Sequence, residues 1–216
     1  MKCIFSIVEF DDKFSRHKKK ENRLYEKYRN QFNTSKEKYA NRLGADYYLL
    51  GYDSFVDKFD TSYYNRLCYL RFYHGENLSK DYDQVLYLDF DVLCETEESI
   101  FDEYIGGIQL NWDEYLRYDG PHKHREKCRA VKELDDSLDH LIVFNTSVML
   151  FDYASIKTLD FFNGKGENNE VRFSYQAQRN NVLLNYFGYE WNSIDGKFKH
   201  LTKKSQIDDF FKNYQQ

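Results

Sequence analysis

The chain has 216 residues, of which 41% are hydrophobic and 31% charged, with a formal net charge of −5. That length suits one domain with a sizeable core, and the negative balance argues against a nucleic-acid binder that works by neutralising phosphates. No apolar run approaches the 18 residues of a membrane span, and no N-terminal stretch reads as a secretory signal.

Cys3, Cys68, Cys94 and Cys128 lie far apart with no C-x-x-C pair. Buried thiols in a reducing compartment are therefore expected, rather than disulfides or zinc. A cytoplasm, that of an infected host cell included, is the expected location, and the Tyr, Phe, Asn and Lys richness suits an AT-rich genome. Aromatics reach 19%, enough to fill a core and to leave tyrosines for wet sites that hold rings or sugars. The basic run at 16 to 20, "RHKKK", reads as a solvated helix face.

"KCIFSIV" at 2 to 8 reads as a buried first strand. A polar and aromatic helical stretch follows, with a break near Asn33. "TSKE" at 34 to 37 has the form of a capping box, and the helix it opens should stop at Gly44. "DYYLL" at 46 to 50 reads as a second strand. Tyr64, Leu67, Cys68 and Arg71 recur at three- and four-residue steps, which predicts a helix from about Thr61 to Gly75. Then comes Val85-Leu86-Tyr87-Leu88, an apolar strand that ends in Asp89-Phe90-Asp91.

A short helix is expected near Glu97 to Tyr104, and a strand at "GGIQL". Residues 113 to 137 are polar and irregular and read as a loop over a site. "LIVFNTSVMLF" at 141 to 151 is strand-like, and helical stretches follow near 154 to 163 and 174 to 187. A last helix is expected at Gln206 to Tyr214. Strands alternating with helices predict an α/β fold around a mostly parallel mixed sheet, with ligands at the carboxyl ends of its strands.

Asp89 and Asp91 sit at such an end. Strands disfavour Asp, and two carboxylates at i and i+2 point to one side of an extended backbone. Their repulsion is relieved by a cation between them. Two chemistries use this pattern. In one, both carboxylates hold Mg²⁺ or Mn²⁺ against the phosphates of a nucleotide sugar. In the other, the first Asp attacks a phosphate ester, as in haloacid-dehalogenase-like phosphatases. Those enzymes carry the motif on the first strand and favour Thr or Val where this chain has Leu93, so the second chemistry fits poorly.

"YDQVLYLDFDVLCETEESIF" resembles the D-x-D segment of GT-A glycosyltransferases, family 8 (the glycogenin and galactosyltransferase group) in particular. "FNTSVMLFD" at 144 to 152 resembles the same group's Phe-Asn-x-Gly-Val-Met-Leu strand. "TSKEKYANRLGADYYLL" and "YYNRLCYLRFY" are similar to the helix, strand and helix that precede D-x-D, and "GIQLNWDEYLRYDG" echoes an Asn-Trp segment of other GT-A enzymes. The resemblance spans about residues 1 to 200.

It implies a single GT-A domain over 1–216, with the nucleotide-binding part at about 1–105 and the sugar and acceptor part at about 106–200. It also implies transfer of a sugar from a nucleotide diphosphate sugar, with UDP the expected nucleotide, to a carbohydrate or other hydroxyl acceptor. Mn²⁺ or Mg²⁺ would be the cofactor, with Asp89, Asp91 and the late His200 as ligands. Asp89, Phe90 and Asp91 would border the nucleotide, and Arg66 would lie near the diphosphate.

Ser6, Ile7, Val8 and Glu9 would cradle the nucleoside by position alone. Asn145 would contact the sugar, and Gln178 and Asn181 of "YQAQRNNVLLN" match the family's catalytic helix loosely. Two departures stand out: Ser147 replaces a glycine, and the "QRNN" segment has no acid. Asp113, Asp119, Asp139 and Asp152 are the carboxylates in range as a base. The missing acid also leaves open a domain that binds nucleotide sugar or glycan without turnover. Trp112 could stack on a sugar or pack in the core, and His122, His124 and His140 read as parts of a charged loop.

Overall fold

A computed structural model describes residues 1–8, 26–112, 120–138, 143–193, 195–201 and 204–213. Its main sheet has six strands: β1 (Lys2–Ile7), β2 (Asp46–Leu50), β3 (Gln84–Leu88), β5 (Ile108–Trp112), β6 (Phe144–Phe151) and β7 (Leu184–Tyr186). They lie in the order β2-β1-β3-β6-β5-β7. All neighbours are parallel except those of β6, which runs against both β3 and β5. A two-stranded ladder, β4 (Val92–Cys94) with β8 (Phe198–His200), stands beside it.

Period-two alternation explains why the strands read as continuous apolar runs. Cys3, Phe5, Val85, Tyr87, Met149 and Phe151 enter one core, and Ile4, Leu86, Leu88, Val148 and Leu150 the other. The first face is covered by α2 (Tyr63–Leu78), α4 (Tyr153–Leu159) and α5 (Asn169–Arg179), the second by α1 (Arg29–Leu43) and the aromatic pair Trp191 and Phe198. Phe72 stacks on Phe161 with centroids 3.7 Å apart. All four cysteines are buried thiols outside any disulfide, and burial pushes the Cys3 and Cys94 thiols up to about 12.

Several expectations from the sequence change here. Helix α1 runs straight through Asn33, so Thr34 and Glu37 are interior residues and no capping box forms. Asn33 instead donates to Glu37 one turn on, at 2.6 Å. The helix does end at Gly44, in the left-handed conformation (φ 62°). Helix α2 passes Gly75 and continues to Leu78, because a bare Cα there lets the Phe151 ring close in: a Cβ would stand 2.7 Å from it.

The expected loop at 113 to 137 is, over its described part, helix α3 (Gly120–Leu134). Cys128 and Val131 are buried on Val143 and Val171, and that stripe is short enough to be hidden in a charged sequence. The stretch at 174 to 187 divides into the end of α5 and strand β7. A last helix, α6, spans Lys204–Asn213. No helix among the described residues is long and apolar enough to cross a membrane.

Candidate metal and nucleotide site

Asp89 follows the last residue of β3 and keeps the face of Tyr87, the face turned toward α2. Arg71 is on the inward stripe of α2, between Cys68 and Gly75, and is buried. The two therefore meet, with Arg71 Nη2 at 3.3 Å from Asp89 Oδ1. Tyr87 also donates its hydroxyl to Asp89. Arg71 Nη1 donates to the carbonyl and the hydroxyl of Thr146, at 2.9 and 2.8 Å, and Asn169 at the start of α5 donates to the same hydroxyl. Burial alone would weaken the guanidinium charge, but Asp89, together with Tyr87, Cys68 and Tyr64, outweighs it and raises the Arg71 pKa.

Thr146 can reach Arg71 because β6 bulges there. Between Leu110 and Asn111 on β5 the register steps from Met149 to Asn145, setting off Thr146, Ser147 and Val148. Bulges of this kind re-aim side chains at sheet ends. The Asp89 N–H donates to the Ser147 carbonyl at 2.8 Å, which ties the acidic turn to the bulge.

Asp91 turns toward His200, whose Nε2 is 3.3 Å from Asp91 Oδ1. Register explains the meeting, since Val92 pairs with His200 across the β4–β8 ladder. One ligand atom from each of Asp89, Asp91 and His200 lies within 4.8 Å of the others. Burial works against the charge of both partners, yet their mutual attraction prevails: the Asp91 pKa is lowered and the His200 pKa raised. Two carboxylate oxygens and one imidazole nitrogen, converging at this spacing, form a donor set that fits Mn²⁺ or Mg²⁺.

A cavity of about 210 Å³ opens beside the cluster, lined by Ile7, Tyr64, Leu67, Cys68, Arg71, Tyr87, Asp89, Phe90 and Asp91. Of the first-strand residues expected there, Ile7 lines it. Ser6 is turned inward, with its hydroxyl donating to the Leu88 carbonyl at 2.7 Å, and the Val8 N–H donates to Leu50. Glu9 lies outside the described residues.

Arg66 does not take the place expected of it. It pairs with Asp57 at 3.2 Å, and the guanidinium beside the acidic turn is that of Arg71. Gln178 and Asn181 are also misplaced. They lie at the carboxyl end of α5, where Leu183 pairs with the start of β5, at the end of the sheet remote from Asp89. Asn145 is buried near the site, but its Oδ1 accepts from the Ser147 N–H at 2.8 Å and from Asn192 at 3.3 Å, a structural use.

Asp152 caps α4 at that same remote end and is no base for this site. Asp113, Asp119, Asp139 and His140 lie outside the described residues, as do the side chains of Trp112, His122 and His124. Glu170 was not singled out in the sequence. It sits in the first turn of α5, pairs with Lys127 of α3, and is within electrostatic reach of the cavity residue Cys68.

No protein-family model and no curated protein matches the chain. Solved structures do. The chain aligns with a glycosyltransferase involved in the glycosylation of the major capsid of PBCV-1, at 13% identity and a TM-score of 0.59, covering 98% of both chains. It also aligns with the galactosyltransferase LgtC in complex with donor and acceptor sugar analogues, at 13% identity and a TM-score of 0.52, over 96% of this chain and 82% of that one. The fold is that of the GT-A glycosyltransferases.

Proposed function

We propose that the chain is a metal-dependent glycosyltransferase that moves a sugar from a nucleotide diphosphate sugar, UDP-linked, to an acceptor hydroxyl. The observation that carries this reading is the convergence of Asp89, Asp91 and His200 at the carboxyl end of β3, with Arg71 bound to the first of them. The neighbours in fold support it, since they include a transferase whose structure holds donor and acceptor sugar analogues.

Asp89, Asp91 and His200 would hold Mn²⁺ or Mg²⁺, which supplies charge neutralisation for a departing diphosphate. Arg71 and Tyr87 both hold Asp89 Oδ1, which orients the carboxylate. Ile7 and the Phe90 segment border the space for the nucleotide, consistent with a nucleotide-binding part at about 1–105 and a sugar and acceptor part at about 106–200. Water exclusion and positioning would supply the rest of the rate.

Calorimetric titration of UDP with Mn²⁺ present, and then with EDTA, tests the reading. Binding that appears with the metal and vanishes with the chelator is expected, followed by turnover of a UDP-sugar. Equal binding in both conditions would refute the metal site, and no binding in either would refute the UDP version.

A further inference from the structure

Lysine is almost never fully buried without a paired charge. Lys36 of α1 has zero exposure, and its ammonium makes its direct bond to a backbone carbonyl while Asp91 and Asp89 act on it through their charge. Instead Nζ donates to the carbonyl of Phe90 at 2.7 Å, the residue between the two aspartates. Its flanks are aromatic, with Nζ 5.7 Å from the Phe32 ring centroid and 5.3 Å from that of Phe90.

The turn it reaches is held carbonyl by carbonyl. The Asp89 carbonyl accepts from the Val92 N–H at 3.1 Å, and the Asp91 carbonyl from the Leu201 N–H at 3.1 Å. The Phe90 carbonyl takes the only one of these three bonds that comes from a charged side chain. Burying a cation here is costly, because the desolvation outweighs what one hydrogen bond, two ring faces and the longer-range attraction of Asp91 and Asp89 return. An uncharged leucine or methionine would pack between Phe32 and Phe90 at lower cost.

We propose that Lys36 is a positioning residue whose bond to the Phe90 carbonyl sets the turn that presents Asp89 and Asp91 to a divalent cation. This rests on the metal-site reading above. The hydrogen bond is what the site depends on. The charge by itself would repel a second cation nearby, so the two contributions have opposite signs and can be separated.

The test is Mn²⁺ binding to the full chain, followed by loss of the free Mn²⁺ electron paramagnetic resonance signal, for wild type, Lys36→Met, Lys36→Gln and the control Val131→Ala. Groups that orient metal ligands change affinity about 10- to 100-fold when removed. Lys36→Met is expected to bind Mn²⁺ at least about tenfold more weakly while its circular dichroism stays native. Lys36→Gln, which keeps a donor on a shorter chain, should fall between it and wild type, and it carries the comparison if the methionine variant does not fold.

Val131→Ala, a core truncation in α3, should lower the melting temperature without changing Mn²⁺ affinity. A merely structural Lys36 would behave the same way. Folded Lys36 variants that bind Mn²⁺ as well as wild type, or more tightly, would overturn the proposal and leave the metal site standing. A wild type that binds no Mn²⁺ would overturn both.

Discussion

The two ends of the β3–β6 pair handle acidic side chains in opposite ways. At one end, after Phe151, Asp152 is matched bond for bond: Oδ1 accepts the Ser155 N–H at 2.7 Å and Oδ2 the Tyr104 hydroxyl at 2.8 Å. Nearby, Gln109 accepts from the Ile105 N–H and donates to the Glu103 carbonyl. At the other end Asp89, Asp91, His200, Arg71 and Lys36 crowd together, largely buried, with like charges within a few ångströms. Self-contained polar groups support a fold, whereas crowded ones are tolerated when something outside the chain completes them.

The sharpest way to break this comparison is Asp91→Ala. Metal-dependent UDP binding should fall at least about 100-fold, by loss of a charged ligand, with the circular dichroism unchanged. Calorimetry that found wild-type affinity would show that the crowded end serves only the fold. His200→Ala should act in the same direction but less, about 10-fold in Mn²⁺ affinity, read from the same resonance signal.

At the matched end the effect should be on stability. Asp152→Ala removes an N-cap and should cost about 1 kcal/mol, lowering the melting temperature by about 2–4 °C with Mn²⁺ binding intact. Burial pushes the Asp152 carboxyl upward, but the Ser155 N–H and hydroxyl and the Tyr104 hydroxyl outweigh it, so its pKa lies below the ordinary range. Such a carboxylate supports the fold above pH about 4 and loses that support as the pH falls through its folded value. The gap in melting temperature between wild type and Asp152→Ala should therefore close in acid. A gap constant from pH 7 to pH 3 would mean that ionisation plays no part.

Arg66→Ala should be the mildest change, within about 0.5 kcal/mol, and should leave UDP binding alone. Its partner Asp57 is half exposed, so solvent screens the pair.

The sequence made the acidic turn legible because two aspartates after an apolar strand break a local preference that only a ligand or a surface turn explains. His200 was legible through the resemblance alone, since the register that brings it to Asp91 depends on β4 and β8, strands of three residues each. Arg71 could have been found without the structure. It belongs to the same three- and four-residue series that predicts α2, and that series marks the face turned toward the sheet, whereas Arg66 lies off it. Helix α3 was hidden because its buried stripe rests on a few residues among many charges. The Gln178 and Asn181 assignment failed because α5 begins near the site and runs away from it, so matching its far end carried the residues to the wrong side of the sheet.

The β4–β8 ladder has a consequence for how the protein is made. Asp91 and His200 are held together by a strand near the middle of the sequence and one that follows β7, and the Leu201 N–H closes the turn on the Asp91 carbonyl. A nascent chain emerging from the ribosome can form β1, β2 and β3 long before His200 is synthesised. The Asp89–Asp91–His200 cluster therefore waits for β8, which follows every strand of the main sheet, and a product cut short before Phe198 would carry the acidic turn without His200 to close it.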